Sequence, residues 1–178
     1  LNTPQPGSLA AIGNDSEGIY AATGAYLLIG PNGSVAARTE AGSLWGSMTI
    51  SRSKWTFDPG TEHFDTLIQP VTGSGSLIAK SSLTGRFAKG TAPAQEFGPF
   101  EYVLDNALAV SQESVSGKWS SGDKDDGIGV SIQSDARGAF TGTTKGSGIG
   151  TCKISGTIAH AEPGTAKNMY RITLTATD

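Results

Sequence analysis

Gly42-Ser43-Leu44-Trp45-Gly46-Ser47-Met48-Thr49-Ile50-Ser51 returns 104 residues later as Gly146-Ser147-Gly148-Ile149-Gly150-Thr151-Cys152-Lys153-Ile154-Ser155. The match runs on without a gap to Asp58-Pro59-Gly60-Thr61 against Glu162-Pro163-Gly164-Thr165, and eight of the twenty positions over 42–61 and 146–165 are identical. Upstream the offset shifts slightly, pairing Gly33 and Val35 with Gly138 and Phe140, Gly18 and Tyr20 with Gly117 and Trp119, and Leu9-Ala10 with Leu108-Ala109. The chain thus reads as two copies of one unit, residues 8–104 and 105–178, behind a polar, Pro-containing tether at residues 1–7.

Both copies carry the period of β-structure. Apolar and polar residues alternate in Ser47–Ser51, Lys54–Phe57, Phe100–Leu104, Ile128–Ile132, Cys152–Ile158 and Tyr170–Ala176, which sends the apolar set of each to one face. Turn residues separate these runs: Pro31-Asn32-Gly33, Asp58-Pro59-Gly60, Ser134–Gly138 and Glu162-Pro163-Gly164. Only Asp105 to about Val115 reads as a short helix or an irregular crossover. A unit of ~70 residues buries too little surface to be secure alone. The expected fold is therefore all-β and antiparallel, the two related units together forming one meander barrel of about ten strands. Two small packed sheets are the alternative.

Composition narrows the function classes. The 178 residues include 25 Gly, 20 Ser and 19 Thr, only 16% are charged, and the net charge is −3. A nucleic-acid binder carries a basic surplus, so that class is disfavoured. No run of about 18 apolar residues occurs, so no membrane-spanning helix is expected. The single Cys152 excludes an intrachain disulfide and reads as a small buried apolar residue on the face of Ile154. Few charges and few thiols suggest export.

Gly18-Ile19-Tyr20, Gly117-Lys118-Trp119, Gly138–Gly142, Cys152–Ile158 and Lys167–Leu174 together resemble a group of exported Gly/Ser/Thr-rich β-repeat proteins and lipoproteins of Gram-negative bacteria. That resemblance implies a β fold and a periplasmic or outer-membrane-associated location, and implies no activity. Gly117-Lys118-Trp119 also resembles the first-strand Gly-x-Trp of lipocalins, and Trp119 is expected to plug a core.

Candidate chemistry is sparse. His63, with Glu62 and Asp65 nearby, reads as an exposed polar turn, and His160 as an outward strand or turn position. Asp123-Lys124-Asp125-Asp126-Gly127 lacks the oxygen spacing and terminal Glu of a calcium loop, and reads as a solvated hairpin. The Gly146–Gly150 run has no following helix to hold a phosphate. No Gly-x-Ser-x-Gly nucleophile elbow occurs, and neither metal nor cofactor is expected. Trp45, Trp55 and Phe57 stand out as candidate binding residues. Trp55 and Phe57 share a strand face, and the second copy has Ala159 and Ala161 in their places. The expected function is a non-enzymatic cell-envelope protein binding a protein, lipid, glycan or small apolar ligand. A structural packing module and a hydrolase with a spatially assembled site are the alternatives.

Overall fold

The computed structural model describes residues 16–30, 32–107, 110–122, 129–146, 150–161 and 168–177. They contain fourteen strands and no α-helix. The expected helix around Asp105–Val115 is two separate 3-10 turns, Leu104–Ala107 and Gln112–Val115. Backbone contacts divide the chain into two compact units, one ending at Asn106 and the other starting at Ala107.

Nine strands belong to the first unit: β1 (Gly18–Ala22), β2 (Ala25–Ile29), β3 (Ser34–Thr39), β4 (Gly42–Ser51), β5 (Lys54–Phe57), β6 (Glu62–Phe64), β7 (Ile68–Ile78), β8 (Ser82–Lys89) and β9 (Gln95–Tyr102). Each pairs antiparallel with its chain neighbours, except that β5 and β6 share one place between β4 and β7. The ring closes where β9 meets β1, with Tyr20 opposite Tyr102. The result is an eight-position up-and-down barrel, an arrangement that leaves no free edge. Its interior is the alternate face of every strand: Tyr20, Leu27, Ile29, Val35, Leu44, Met48, Trp55, Val71, Leu77, Leu83 and Phe100. Burying a side chain of this size stabilises the fold by ~1.5–3 kcal/mol. Beyond the closure, the Asn106 side chain accepts from Ile19 N–H (3.1 Å) and donates to the carbonyls of Ile19 (3.1 Å) and Val103 (2.6 Å), extending the β1 edge by one rung.

The second unit is a five-stranded antiparallel meander: β10 (Gly117–Gly122), β11 (Gly129–Ser134), β12 (Ala139–Gly146), β13 (Gly150–His160) and β14 (Tyr170–Thr177). Val115, Phe140, Ile154 and Ile158 form its core, with Ile132 and Tyr170 against them. The 3-10 turn Gln112–Val115 is strapped onto the sheet. Gln112 Nε2 donates to Ile158 O and Gln112 Oε1 accepts from His160 N–H, both at 2.8 Å, and Tyr170 OH donates to Ser111 O at 2.8 Å.

The all-β antiparallel class and the barrel are as the sequence suggests. The barrel, however, is closed by the first unit alone, because β7, β8 and β9 supply the strands needed to return to β1. The expectation of one ring drawn from both copies is corrected accordingly. The second unit holds the counterparts of only the first five positions, and its β10 and β14 do not pair.

Pairing also corrects the repeat. The turns at 30–33 and 135–138 are equivalent, since Gly33 N–H bonds Gly30 O and Gly138 N–H bonds Asp135 O, both at 3.0 Å. Gly33 O then accepts from Met48 N–H and Gly138 O from Ile158 N–H, both at 2.8 Å. The structural counterpart of Met48 is therefore Ile158, six residues beyond the Cys152 that the ungapped alignment selects. Gly46 likewise corresponds to Gly156, since Val35 lies opposite Gly46 and Phe140 opposite Gly156. The shifted offsets read at Gly33/Gly138 and Gly18/Gly117 agree with the pairing.

Candidate functional site

One end of the barrel is assembled from the β3–β4, β6–β7 and β8–β9 connections, and there the interior is not filled. A cavity of about 170 Å³ is walled by Leu27, Leu44, Phe57, Phe87, Phe97 and Phe100, with Ala37 and Ala41 on one side and His63, Lys89, Thr39 and Gln95 as its polar members.

Local sequence places these side chains. On β8 every second residue, Leu83, Gly85, Phe87 and Lys89, turns toward the axis, as period two requires. On β9, Phe97 and Phe100 both face inward although three positions apart. The ladder with β8 slips between Leu83 and Gly85, and Gly98 at φ +97° takes the extra residue. The rings then chain together by centroid distance: Phe87–Phe97 5.9 Å, Phe97–Phe100 5.6 Å, Trp55–Phe97 5.7 Å and Trp55–Phe57 4.9 Å. Trp55 has its own seat. A Cβ on Gly75 or Gly85 would lie 2.7 Å or 2.4 Å from its indole, and Nε1–H donates to Thr84 O at 3.1 Å.

His63 on β6 lies opposite Leu44 of β4 and faces inward with it. It is 6% exposed, so the exposed polar turn expected here is corrected to a buried wall residue. Closure of the barrel brings it inside. Its Nδ1 is sealed from solvent without a hydrogen-bond partner, and the Asp65 carboxylate stands 3.8 Å away. Burial, and then the charge of Lys89, hold the imidazole below its ordinary pKa, against the opposing pull of Asp65. Asp65 itself accepts from the backbone N–H groups of Thr66 and Leu67 and from Lys89 Nζ at 3.2 Å. Those donors, Thr66 first, keep its carboxyl far below the usual range. Beside this ion pair, Phe64, Leu67 and Ile68 lie exposed on the same hairpin.

The candidate binding residues part company. Phe57 lines the cavity, Trp55 is fully buried beneath the aromatic chain, and Trp45 is 40% exposed on the outer surface opposite Ala36 and Glu62. The sequence reading missed Phe87, Phe97, Phe100, Leu27 and Leu44. Alternation along β8 contained the signal for Phe87; the slip in β9 hid the pair Phe97 and Phe100.

Elsewhere, His160 is buried at the end of β13 with its ring 5.5 Å from Tyr170, not outward. Cys152 is a half-buried free thiol and not a fully buried one. Trp119 is 50% exposed rather than a core plug, its Nε1–H bonded to Val115 O at 2.8 Å. The Asp123–Gly127 loop, residues 147–149 and the Glu162-Pro163-Gly164 turn lie outside the described residues. Among the described residues no group of three or more His, Cys, Asp or Glu is placed to hold a metal ion, and no helix is long and apolar enough to cross a membrane.

Compared with protein-family models, curated proteins and solved structures, the chain matches none.

Proposed function

We propose that the protein is a non-enzymatic binding protein of the cell envelope that takes a small apolar molecule into the open end of its barrel. The cavity carries this reading. At the open end a mainly apolar cavity of about 170 Å³, walled by four phenylalanines and two leucines, has the size that holds one small hydrocarbon ring. Apolar walls left facing water are unfavourable, and a ligand that covers them recovers that free energy. The envelope location rests on composition and on the resemblance of the repeat motifs.

The packing-module alternative calls for a filled interior, which the cavity argues against. The hydrolase alternative lacks a nucleophile at His63, whose ring no serine or threonine hydroxyl bonds among the described residues.

Titrating the folded chain with toluene under NMR observation tests the reading. Saturable shifts at Leu27, Leu44 and Phe97, with unfolding moved to higher temperature, are expected. Unchanged spectra up to the solubility limit of toluene overturn it.

A further inference from the structure

We propose that the molecule held in the barrel is an uncharged, single-ring hydroxyl compound of the phenol type, its hydroxyl seated beside His63. This rests on reading the cavity as a binding site.

Size sets the first limit, since about 170 Å³ admits one ring with a small substituent. Ring shape follows from the wall, where the edges and faces of Phe57, Phe87, Phe97 and Phe100 offer edge-to-face contacts.

Charge sets the second. Among the described residues the only Lys or Arg lining the cavity is Lys89, and Asp65 already compensates it at 3.2 Å. The carboxylate is in turn occupied by the Thr66 and Leu67 N–H groups. An anionic head would find Lys89 already paired with Asp65, a cationic one would meet Lys89, and either would surrender its hydration without a free counter-charge.

The polar group is set by His63. Its ring is buried and lines the cavity, with Nδ1 sealed on the side of the Asp65 carboxylate, 3.8 Å away, so that a ligand meets the ring at its other nitrogen. Burial favours the neutral imidazole, which offers one N–H donor and one lone pair. A hydroxyl donates and accepts, so it answers that nitrogen in either tautomer of the ring. A carbonyl or an ammonium answers only one.

The test compares toluene, p-cresol and benzoate binding to the full chain by calorimetry, with the ¹⁵N shifts of the His63 ring followed by NMR. The expected order places p-cresol about tenfold tighter than toluene, the worth of one buried hydrogen bond, with benzoate weakest. The His63 nitrogen shifts move with p-cresol and not with toluene. His63→Leu removes the p-cresol advantage while toluene still binds. If that variant does not fold, the wild-type ring shifts decide the same question. Equal affinity for p-cresol and toluene, or unmoved His63 nitrogens, overturns the hydroxyl assignment and leaves apolar binding intact. Tightest binding by benzoate overturns the assignment of an uncharged ligand. Failure of all three ligands overturns the cavity reading itself.

Discussion

Thr61 lets a strand be interrupted inside a closed barrel. It is buried between β5 and β6, its hydroxyl within 2.9 Å of the carbonyls of Ser47 and Asp58 and accepting from Ser47 N–H at 3.3 Å. The backbone crosses so close to Gly46, at φ +153°, that a Cβ there would stand 2.6 Å from Thr61 Cα. Asp58-Pro59-Gly60 was legible as a turn; that it interrupts a strand at Thr61 was not, because the interruption exists only against β4 and β7. Thr61→Val takes the acceptor from the Ser47 N–H, while the carbonyls of Ser47 and Asp58 keep only the backbone N–H groups of Asp58 and Thr61. It should cost the first unit about 1–2 kcal/mol, read as a lower urea midpoint in tryptophan fluorescence. His63 makes stability depend on pH. Its folded pKa lies below the ~6.5 of an unfolded chain, so as pH falls below ~6.5 the unfolded state takes up a proton that the native state refuses. The contribution is fully present above ~6.5 and is lost as pH falls toward the folded value. A urea midpoint that declines from pH 7.5 to 5.5, with a smaller decline in His63→Gln, is the expected outcome.

At the scale of elements, the copies show one pattern meeting two environments. Tyr20 on β1 and Trp119 on β10 occupy equivalent places, yet Tyr20 is fully buried and Trp119 half exposed. The difference is β9, which covers the β1 edge and has no counterpart beside β10 among the described residues. The six-residue slip between sequence and structural registers has a similar cause. Six is an even number, so either register sends the same alternate residues inward, and burial patterning cannot separate them. The segment at 42–46 resembles 146–150 in sequence more than it resembles 152–156, its structural counterpart. The other edge strand, β14, continues the period with Ile172 and Leu174 but leaves both more than half exposed. Such an edge is a template for further pairing. Leu174→Lys is expected to reduce concentration-dependent light scattering while leaving the barrel's thermal unfolding unchanged.

Over the whole molecule, the apolar interior is unequally shared. Among the described residues, twelve buried hydrophobic residues form the barrel core and four the core of the five-stranded sheet. Cooperative stability scales with such burial, so the two units should not unfold together. Tryptophan position reports this directly: Trp119 is in the second unit, whereas Trp45 and Trp55 are in the first. In urea, a chain whose only tryptophan is Trp119 (Trp45→Phe, Trp55→Phe) should show an earlier midpoint than one with Trp119→Phe. Because Trp55→Phe itself weakens the barrel, the order is confirmed on the wild-type chain by amide exchange, with β2, β7 and β8 protected longest. A single coincident transition would mean that the units share one core.

The strands themselves were present in the period of the chain. Lys54–Phe57 begins and ends where alternation places it, and Tyr170–Thr177 nearly so, because two-residue periodicity is a property of neighbours along the backbone. Closure was not present there. Tyr20 meets Tyr102 across 82 positions, and that contact depends on the summed twist and length of seven intervening hairpins, none of which encodes it locally. His63 follows the same logic: a polar residue on a short strand becomes a cavity wall only once the ring around it is complete.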